Sequence, residues 1–163
     1  MRPFDSGDVD SLHRLFIDPA VRRFLLDDQI VERAWIEEEI AASIARFEAG
    51  IAGLFCVHSK DDETLIGFCG FRPFFEPPEL QLLYGLIPAY WSKGLATEAA
   101  RAMIQFGFET PGFDRIGASA DSPNSASIRV MEKAGMVFDY RETINGLDTV
   151  FYVVDRGNSG GAQ

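Results

Sequence analysis

The sequence predicts one mixed α/β domain of α+β character, in which helices come first and strands dominate later. Apolar residues recur at helical spacing through the first third of the chain, up to about residue 48. Two runs rich in Phe, Val, Ile and Cys follow at 53–58 and 64–72, which is typical of neighbouring strands. Beyond residue 80, strand-like and helix-like patterns alternate and end in a strand pair, as in a mixed sheet flanked by helices.

The first third contains three predicted helices. Ser6 or Asp8 can cap the first, because short polar side chains accept hydrogen bonds from free N–H groups at a helix start. Asp18 and Pro19 begin a short second helix, since proline is well tolerated in a first helical turn. The third helix spans about 31–48 and combines an apolar side with many acidic residues.

The second half predicts alternating strands and helices. The pair Asn145-Gly146 is typical of a two-residue hairpin turn and joins the last two strands. We assign residues 1–156 to one domain and expect the tail 157–163, rich in Gly, to be disordered. The predicted strands are 80–87, 115–120, 136–142 and 148–154, and the predicted helices are 94–108 and 124–134.

Charge and cysteine content exclude several classes of protein. A net charge of −10 disfavours nucleic acid as a ligand, and it suits a basic substrate or simply keeps the chain soluble. Cys56 and Cys69 lie in apolar runs, so we expect free thiols and neither a disulfide nor a metal site. His13 and His58 are isolated. No long apolar run or signal-peptide core is present, so we expect a cytoplasmic protein without a membrane partner.

The most informative segment is YWSKGLATEAA, residues 90–100, directly after the strand-like run at 80–88. Gly94 and Ala96 are small residues at the point where a strand gives way to a helix. The first turn of a helix has unpaired N–H donors and a partial positive charge, so this turn predicts a site for a phosphate-bearing ligand. The chain has neither a nucleotide-triphosphate loop nor a dinucleotide fingerprint.

A second segment, SPNSASIRVMEKAGM at 122–136, makes the pattern specific. Together the two segments resemble the GNAT superfamily of acetyl-CoA-dependent N-acetyltransferases, and most closely its ribosomal-protein-alanine (Rim-type) branch. The superfamily signature Arg/Gln-x-x-Gly-x-Gly/Ala is occupied by WSKGLA, with Trp91 in place of Arg or Gln. The second signature matches at Asn124, Ser127, Glu132, Lys133 and Gly135.

The resemblance implies a mostly antiparallel central sheet flanked by helices, in which the strand before the pyrophosphate loop is splayed. Backbone groups near Leu86 and Ile87 would pair with the pantetheine arm of acetyl-CoA. Asn124 would bind the same arm, cap its helix, or do both. The pyrophosphate would lie on the N–H groups of Ser92, Lys93, Gly94, Leu95, Ala96 and Thr97.

The catalytic residues are less clearly indicated. Direct attack of an amine on the thioester needs a base and an acid. Many relatives have a Tyr acid where this chain has Met131, so Ser127 is the candidate acid. The branch usually has a Glu where this chain has Gln81; Glu79 is then the candidate base, or else an exposed glutamate. Tyr84 is a candidate to bind substrate, or else an ordinary strand residue.

The resemblance predicts acetyl transfer to a primary amine, either a protein N-terminal α-amine or a small molecule. The alternative is a non-catalytic acyl-CoA-binding sensor or scaffold of the same fold, which Gln81 and Met131 favour. Relatives often pair, so a homodimer is also plausible.

Overall fold

A computed structural model describes residues 1–158 as a seven-stranded sheet with helices on both faces. The sheet order is β1-β2-β3-β4-β5-β7-β6, and only the β4–β5 pair is parallel. The strands are β1 (Arg2–Pro3), β2 (Leu54–His58), β3 (Leu65–Phe74), β4 (Glu79–Leu86), β5 (Arg115–Asp121), β6 (Val137–Ile144) and β7 (Leu147–Asp155). The helices are α1 (Val9–Ile17), α2 (Pro19–Arg22), α3 (Arg33–Glu48), α4 (Leu95–Glu109) and α5 (Ser125–Lys133).

The predicted order of elements and the mostly antiparallel sheet are confirmed. Of the two caps predicted for the first helix, Asp8 occupies the N-cap position of α1, but its side chain makes no capping hydrogen bond. Ser6 lies in a short 3₁₀ turn that precedes α1, and there Asp5 accepts the N–H of Gly7 at 2.7 Å. Of the predicted tail, Gly157 and Asn158 form a 3₁₀ turn with Arg156, and residues 159–163 lie outside the described residues. The boundary of the single domain stays a prediction.

The two faces of the sheet are covered differently. On one face, α4 and α5 pack on residues from β2 to β7, including Leu82 and Leu86 of β4. On the other face, α1, α2 and α3 pack on β2, β3 and β4, where Leu83 and Ile87 contact them. Their core cluster includes no residue of β5, β6 or β7. We call this part, on the side of the sheet away from α4 and α5, the open face. None of the described helices covers it, although Phe151 there is buried and contacts Phe75.

Strands β4 and β5 diverge almost as soon as they meet. A single bridge, between Gln81 and Gly117, joins them within the described residues. The pairing of β4 with β3 on its other side is regular from Glu79 to Leu86. The splay predicted before the loop is therefore confirmed, and it arises from separation of β4 and β5 without a register shift in the β3–β4 pair.

An ion pair ties β1 to the beginning of the first helix. The two terminal nitrogens of Arg2 donate to the carboxylate of Asp8 at 2.6 and 2.7 Å. The Asp5 N–H and the Cys56 thiol donate to the same carboxylate. Burial disfavours the charge on Asp8, but the hydrogen bonds from Arg2, Asp5 and Cys56 outweigh it and hold its pKa below the usual value. Asp8 therefore stays ionised in the folded protein.

We expect Asp8→Asn to lower the free energy of unfolding by about 2 kcal/mol near neutral pH, because a largely buried, charge-assisted hydrogen-bond set is weakened. The folded-state pKa is lowered, so this stabilisation is present above the ordinary pKa of 3.8 and is lost as the pH falls through the folded value. Urea unfolding across this range measures both effects. Asp10→Asn, which alters only the exposed pair with Arg33, is the control. Equal losses in the two variants would contradict the assignment.

Candidate functional site

The loop after β4 presents a row of free N–H groups. It passes through a 3₁₀ turn at Pro88–Tyr90 before α4 begins. The Glu98 N–H donates back to the Gly94 carbonyl at 3.0 Å, as in a first helical turn. Within the described residues, the N–H groups of Ser92, Lys93, Gly94, Leu95, Ala96 and Thr97 donate to no protein group. These donors at the N-terminus of a 15-residue helix form a suitable anion site.

Gly94 leaves room above this row. Its φ of +78° lies in the left-handed region, which favours glycine. A Cβ at Gly94 would meet no atom of the described residues within 4 Å, so the space beside the N–H groups is open to them. The ammonium of Lys93 lies 4.9 Å from the centroid of the Tyr90 ring, in a cation–π contact. The loop therefore fits the diphosphate of a coenzyme.

The side chain of Trp91 connects the loop after β4 to the end of that strand. Its indole N–H donates to the Leu86 carbonyl at 2.6 Å, although the ring itself is 46% exposed. The bond satisfies the last carbonyl of β4, where the sheet no longer provides a partner on that side. From the sequence, Trp91 was only a departure from the family signature. Its hydrogen bond to Leu86 could not be predicted, because it depends on the turn at Pro88–Tyr90.

The divergence of β4 and β5 leaves backbone groups unpaired. The Ile87 N–H donates to the Ile66 carbonyl, which fixes the alternation of the β3–β4 ladder. By that alternation, the N–H groups of Tyr84 and Leu86 point away from β3 and toward the gap beside β5. Ile87 was also predicted to pair with a ligand, but its carbonyl accepts the Tyr90 N–H, so both of its backbone groups are used within the protein.

Three predicted site residues meet on the face covered by α4 and α5. The Asn124 side chain accepts the Ser127 N–H at 3.1 Å, so Asn124 caps α5. The Tyr84 hydroxyl lies 2.8 Å from the Ser127 hydroxyl and donates to the Ser127 carbonyl at 3.0 Å. Burial raises the pKa of Tyr84 well above its usual value, which keeps the phenol neutral.

Glu79 does not join this group. It is the first residue of β4 and lies on the opposite face, five residues before Tyr84, which is about 16 Å along a strand. It borders a cavity of about 570 Å³ at the end of the sheet where β4 and β5 begin, which Arg115 and the stacked rings of Tyr140 and Phe151 also line.

Gln81 occupies the position between Glu79 and the gap. It is buried, and its side-chain carbonyl accepts the Ser119 hydroxyl at 2.9 Å. Sequence reasoning noted Gln81 but missed Ser119, since the two lie on strands that pair non-locally. This uncharged hydrogen-bonded pair provides no base.

Comparison with known proteins identifies the family. A family model described as an acetyltransferase (GNAT) domain matches residues 1–137. The chain belongs to the GNAT acetyltransferase family. A curated relative is an uncharacterized N-acetyltransferase, YnaD, of Bacillus subtilis (strain 168), which is 30% identical over 136 residues covering 83% of this chain and 77% of YnaD.

Two solved GNAT structures share the fold at low sequence identity. RimL, a ribosomal L7/L12 α-N-protein acetyltransferase solved with coenzyme A, has a TM-score of 0.78 at 17% identity, covering 94% of this chain and 92% of RimL. AAC(6')-Ib, solved with ribostamycin and coenzyme A, has a TM-score of 0.80 at 16% identity, covering 99% of this chain and 96% of AAC(6')-Ib.

Membership of the GNAT family makes this chain an acetyl-CoA-dependent N-acetyltransferase, and it acts on an amine-bearing partner. That activity argues against the non-catalytic sensor considered from the sequence. In the part of the chain that the structure describes, no helix is long and apolar enough to cross a membrane. The same residues contain no cluster of metal-binding side chains.

We expect Trp91→Phe to lower the free energy of unfolding by about 1 kcal/mol, because the ring is retained while its hydrogen bond to Leu86 is lost. Trp35→Phe is the control: the Trp35 indole N–H donates to no group in residues 1–158, and its ring packs against Phe16 and beneath the Arg72 guanidinium, contacts that a phenyl ring can also make. Denaturant unfolding of both variants measures the difference. A larger loss at Trp35 would contradict the role given to the Trp91 hydrogen bond.

Proposed function

We propose that this GNAT enzyme acetylates a small-molecule primary amine, with the coenzyme on one side of the gap between β4 and β5 and the amine entering from the open face. The observation that carries the proposal is the position of the gap. It lies directly before the row of free N–H groups at 92–97 and opens toward an uncovered part of the sheet.

The coenzyme side has a suitable donor for each part of an acyl-CoA. The N–H groups from Ser92 to Thr97 would hold the pyrophosphate, and the N–H groups of Tyr84 and Leu86 would hold the pantetheine arm. Asn124 uses its side-chain oxygen in the cap, so its amide N–H₂ group would be free for the arm. When bound, acetyl-CoA supplies the activated acetyl group, and an N–H at the gap would polarise its carbonyl.

The acceptor side supports a small cationic molecule. The 570 Å³ cavity lies within the range of small-molecule sites, roughly 300–1,000 Å³. Its wall includes the Tyr140–Phe151 stack, whose ring centroids are 4.2 Å apart, and the charged residues Glu79, Asp139 and Arg115, of which Asp139 and Arg115 pair with each other. Glu79 is distant from the reacting end of the gap, so we assign it to a positive group of the acceptor other than the reacting ammonium. The net charge of −10 favours the same class of ligand.

Ser127 is the proposed proton donor to the departing thiolate. Its hydroxyl lies on the face that α5 covers, 2.8 Å from the Tyr84 hydroxyl. Tyr84 would keep that hydroxyl oriented and could pass a proton to it. Met131, at the position where relatives have a Tyr, is fully buried and has no proton to give.

Thiol release from acetyl-CoA tests the acceptor class. One panel contains polyamines, aminoglycosides and aromatic amines, and the other contains short peptides with free N-termini. We expect the best small amine to exceed the best peptide in kcat/KM by at least tenfold, about 1.4 kcal/mol in transition-state binding. A preference for peptides would contradict the acceptor class, and no turnover with any amine would contradict the function.

The pyrophosphate site is tested by a matched pair of glycine variants. Gly94 and Gly50 have similar φ values, +78° and +74°, and a Cβ at either position would have no protein atom within 4 Å. Gly94→Glu and Gly50→Glu should therefore lose similar stability, about 1 kcal/mol. Only Gly94→Glu should abolish coenzyme A binding, because it places bulk and negative charge at the phosphates. Calorimetric titration with coenzyme A measures this, and undiminished affinity in Gly94→Glu would refute the site.

A further inference from the structure

The far side of the gap carries a carboxylate. The β4–β5 bridge pairs Gln81 with Gly117 in a parallel ladder. Counting equally along both strands places Ser119 level with Leu83 and Asp121 level with Gly85. Asp121 therefore ends β5 across the gap from the stretch of β4 whose backbone N–H groups are free.

The side chain of Asp121 points toward the open face. Ile116, Ala118 and Ala120 are buried beneath α4 and α5, so the alternate residues of β5 point the other way. The Ser119 hydroxyl confirms this direction, because it donates to Gln81 on the same face. Asp121 thus lies on the side from which the amine would enter, while Ser127 lies on the side of α5.

No protein cation neutralises Asp121 in the part of the chain that the structure describes. Its carboxylate makes no hydrogen bond or ion pair within residues 1–158. Arg141 of β6, the basic side chain near this end of the sheet, is engaged by Asp148, which also accepts the Ser122 hydroxyl. Thr149 of β7, level with Asp121, is uncharged. A half-buried carboxylate without a partner suits a cationic ligand.

A second carboxylate approaches from the loop between α2 and α3. Leu26, Asp27 and Asp28 all have positive φ, from +50° to +59°, a conformation rare for residues other than glycine. The Asp27 side chain accepts a long hydrogen bond from Asn145 in the β6–β7 turn, at 3.5 Å. Burial and the nearby charge of Asp27 both raise the pKa of Asp121.

We propose that Asp121 receives the ammonium group of the acceptor and takes its proton, and that Asp27 helps to hold the cation. This inference rests on the proposed function. Gln81 cannot accept a proton, and Glu79 lies six residues along β4 from the level of Asp121. Asp121 is the carboxylate at the end of β5 that is level with the free backbone groups of the gap.

The proton balance of the step is complete. The acceptor ammonium gives one proton to Asp121, and its nitrogen then forms a C–N bond with the acetyl carbon as the C–S bond breaks. The second proton lost from that nitrogen goes to the thiolate by way of Ser127. Asp121 returns its proton to solvent, so one ammonium and one acetyl-CoA give one amide, one coenzyme A thiol and one proton.

The pH dependence follows from the charge of Asp121. Only its deprotonated form can accept a proton, so turnover should fall as the pH drops through the pKa of Asp121. Because that pKa is raised, the fall should begin at a higher pH than for an ordinary aspartate. Asp27 is the titratable neighbour that shifts this limb, and the charge of Asp148, which accepts the hydroxyl of the adjacent Ser122, is paired with Arg141.

Two amines separate proton removal from binding. Benzylamine is protonated near neutral pH, whereas phenylhydrazine is largely neutral and needs no base before attack. We expect Asp121→Asn to lower kcat/KM about 100-fold or more with benzylamine, and less than about tenfold with phenylhydrazine. Its affinity for coenzyme A should be unchanged. Asp121→Glu should restore part of the activity and of the acidic limb.

Asp155→Asn is the control, because Asp155 is an exposed aspartate at the end of β7 that pairs with Arg115. It should leave both reactions unchanged. Equal losses for the two amines in Asp121→Asn, or a loss below tenfold with benzylamine, would overturn the inference while leaving the proposed function intact. Failure of the unmodified enzyme to acetylate either these amines or any in the panel would overturn the proposed function itself.

Discussion

The proposed site depends on one constraint, the single bridge between β4 and β5. Neighbouring strands normally satisfy each other's N–H and C=O groups, and an unpaired buried group costs free energy. Here β4 stops pairing with β5 at Gln81, so the N–H groups of Tyr84 and Leu86 would remain available for a ligand. The indole of Trp91 satisfies the Leu86 carbonyl. The fold thus exposes a small set of donors at one defined place.

The divergence of β4 and β5 also lies between the proposed acid, Ser127, and the proposed base, Asp121. On one face, α5 holds Ser127 against Tyr84, where a leaving thiolate would need a proton. On the other face, the helices α1–α3 stop at β4, so the carboxylate of Asp121 would meet the entering amine. In the proposed mechanism, acid and base are therefore kept on opposite sides of the sheet. The backbone between them supplies the hydrogen bonds that would hold the reacting acyl group.

The carboxylates of the chain differ in whether they have a basic partner, which the net charge does not show. Some carboxylates have a basic partner, as Asp8 has Arg2 and Asp148 has Arg141. Asp121 has none within residues 1–158, and its neighbour Asp27 raises its pKa further. A charged ligand, rather than a side chain of the protein, is the partner that this arrangement favours.

Features that depend on neighbouring residues could be predicted from the sequence. The row of N–H groups at 92–97, the cap at Asn124 and the hairpin turn at Asn145-Gly146 are all local, because each arises from a helix start or a tight turn. The folded arrangement was needed to show that Ile87 uses its backbone groups on Ile66 and Tyr90, and that Glu79 lies far from Ser127.

The pairing of Gln81 with Ser119 and the approach of Asp27 to Asp121 could not be predicted either. The hydrogen bond and the charge interaction join residues that are tens of positions apart, and they depend on strand register and on the face to which each side chain points. A shift of one residue would reverse every such face. The motif therefore identified the family and its coenzyme, whereas the register of β4 and β5 decided which carboxylate stands at the gap.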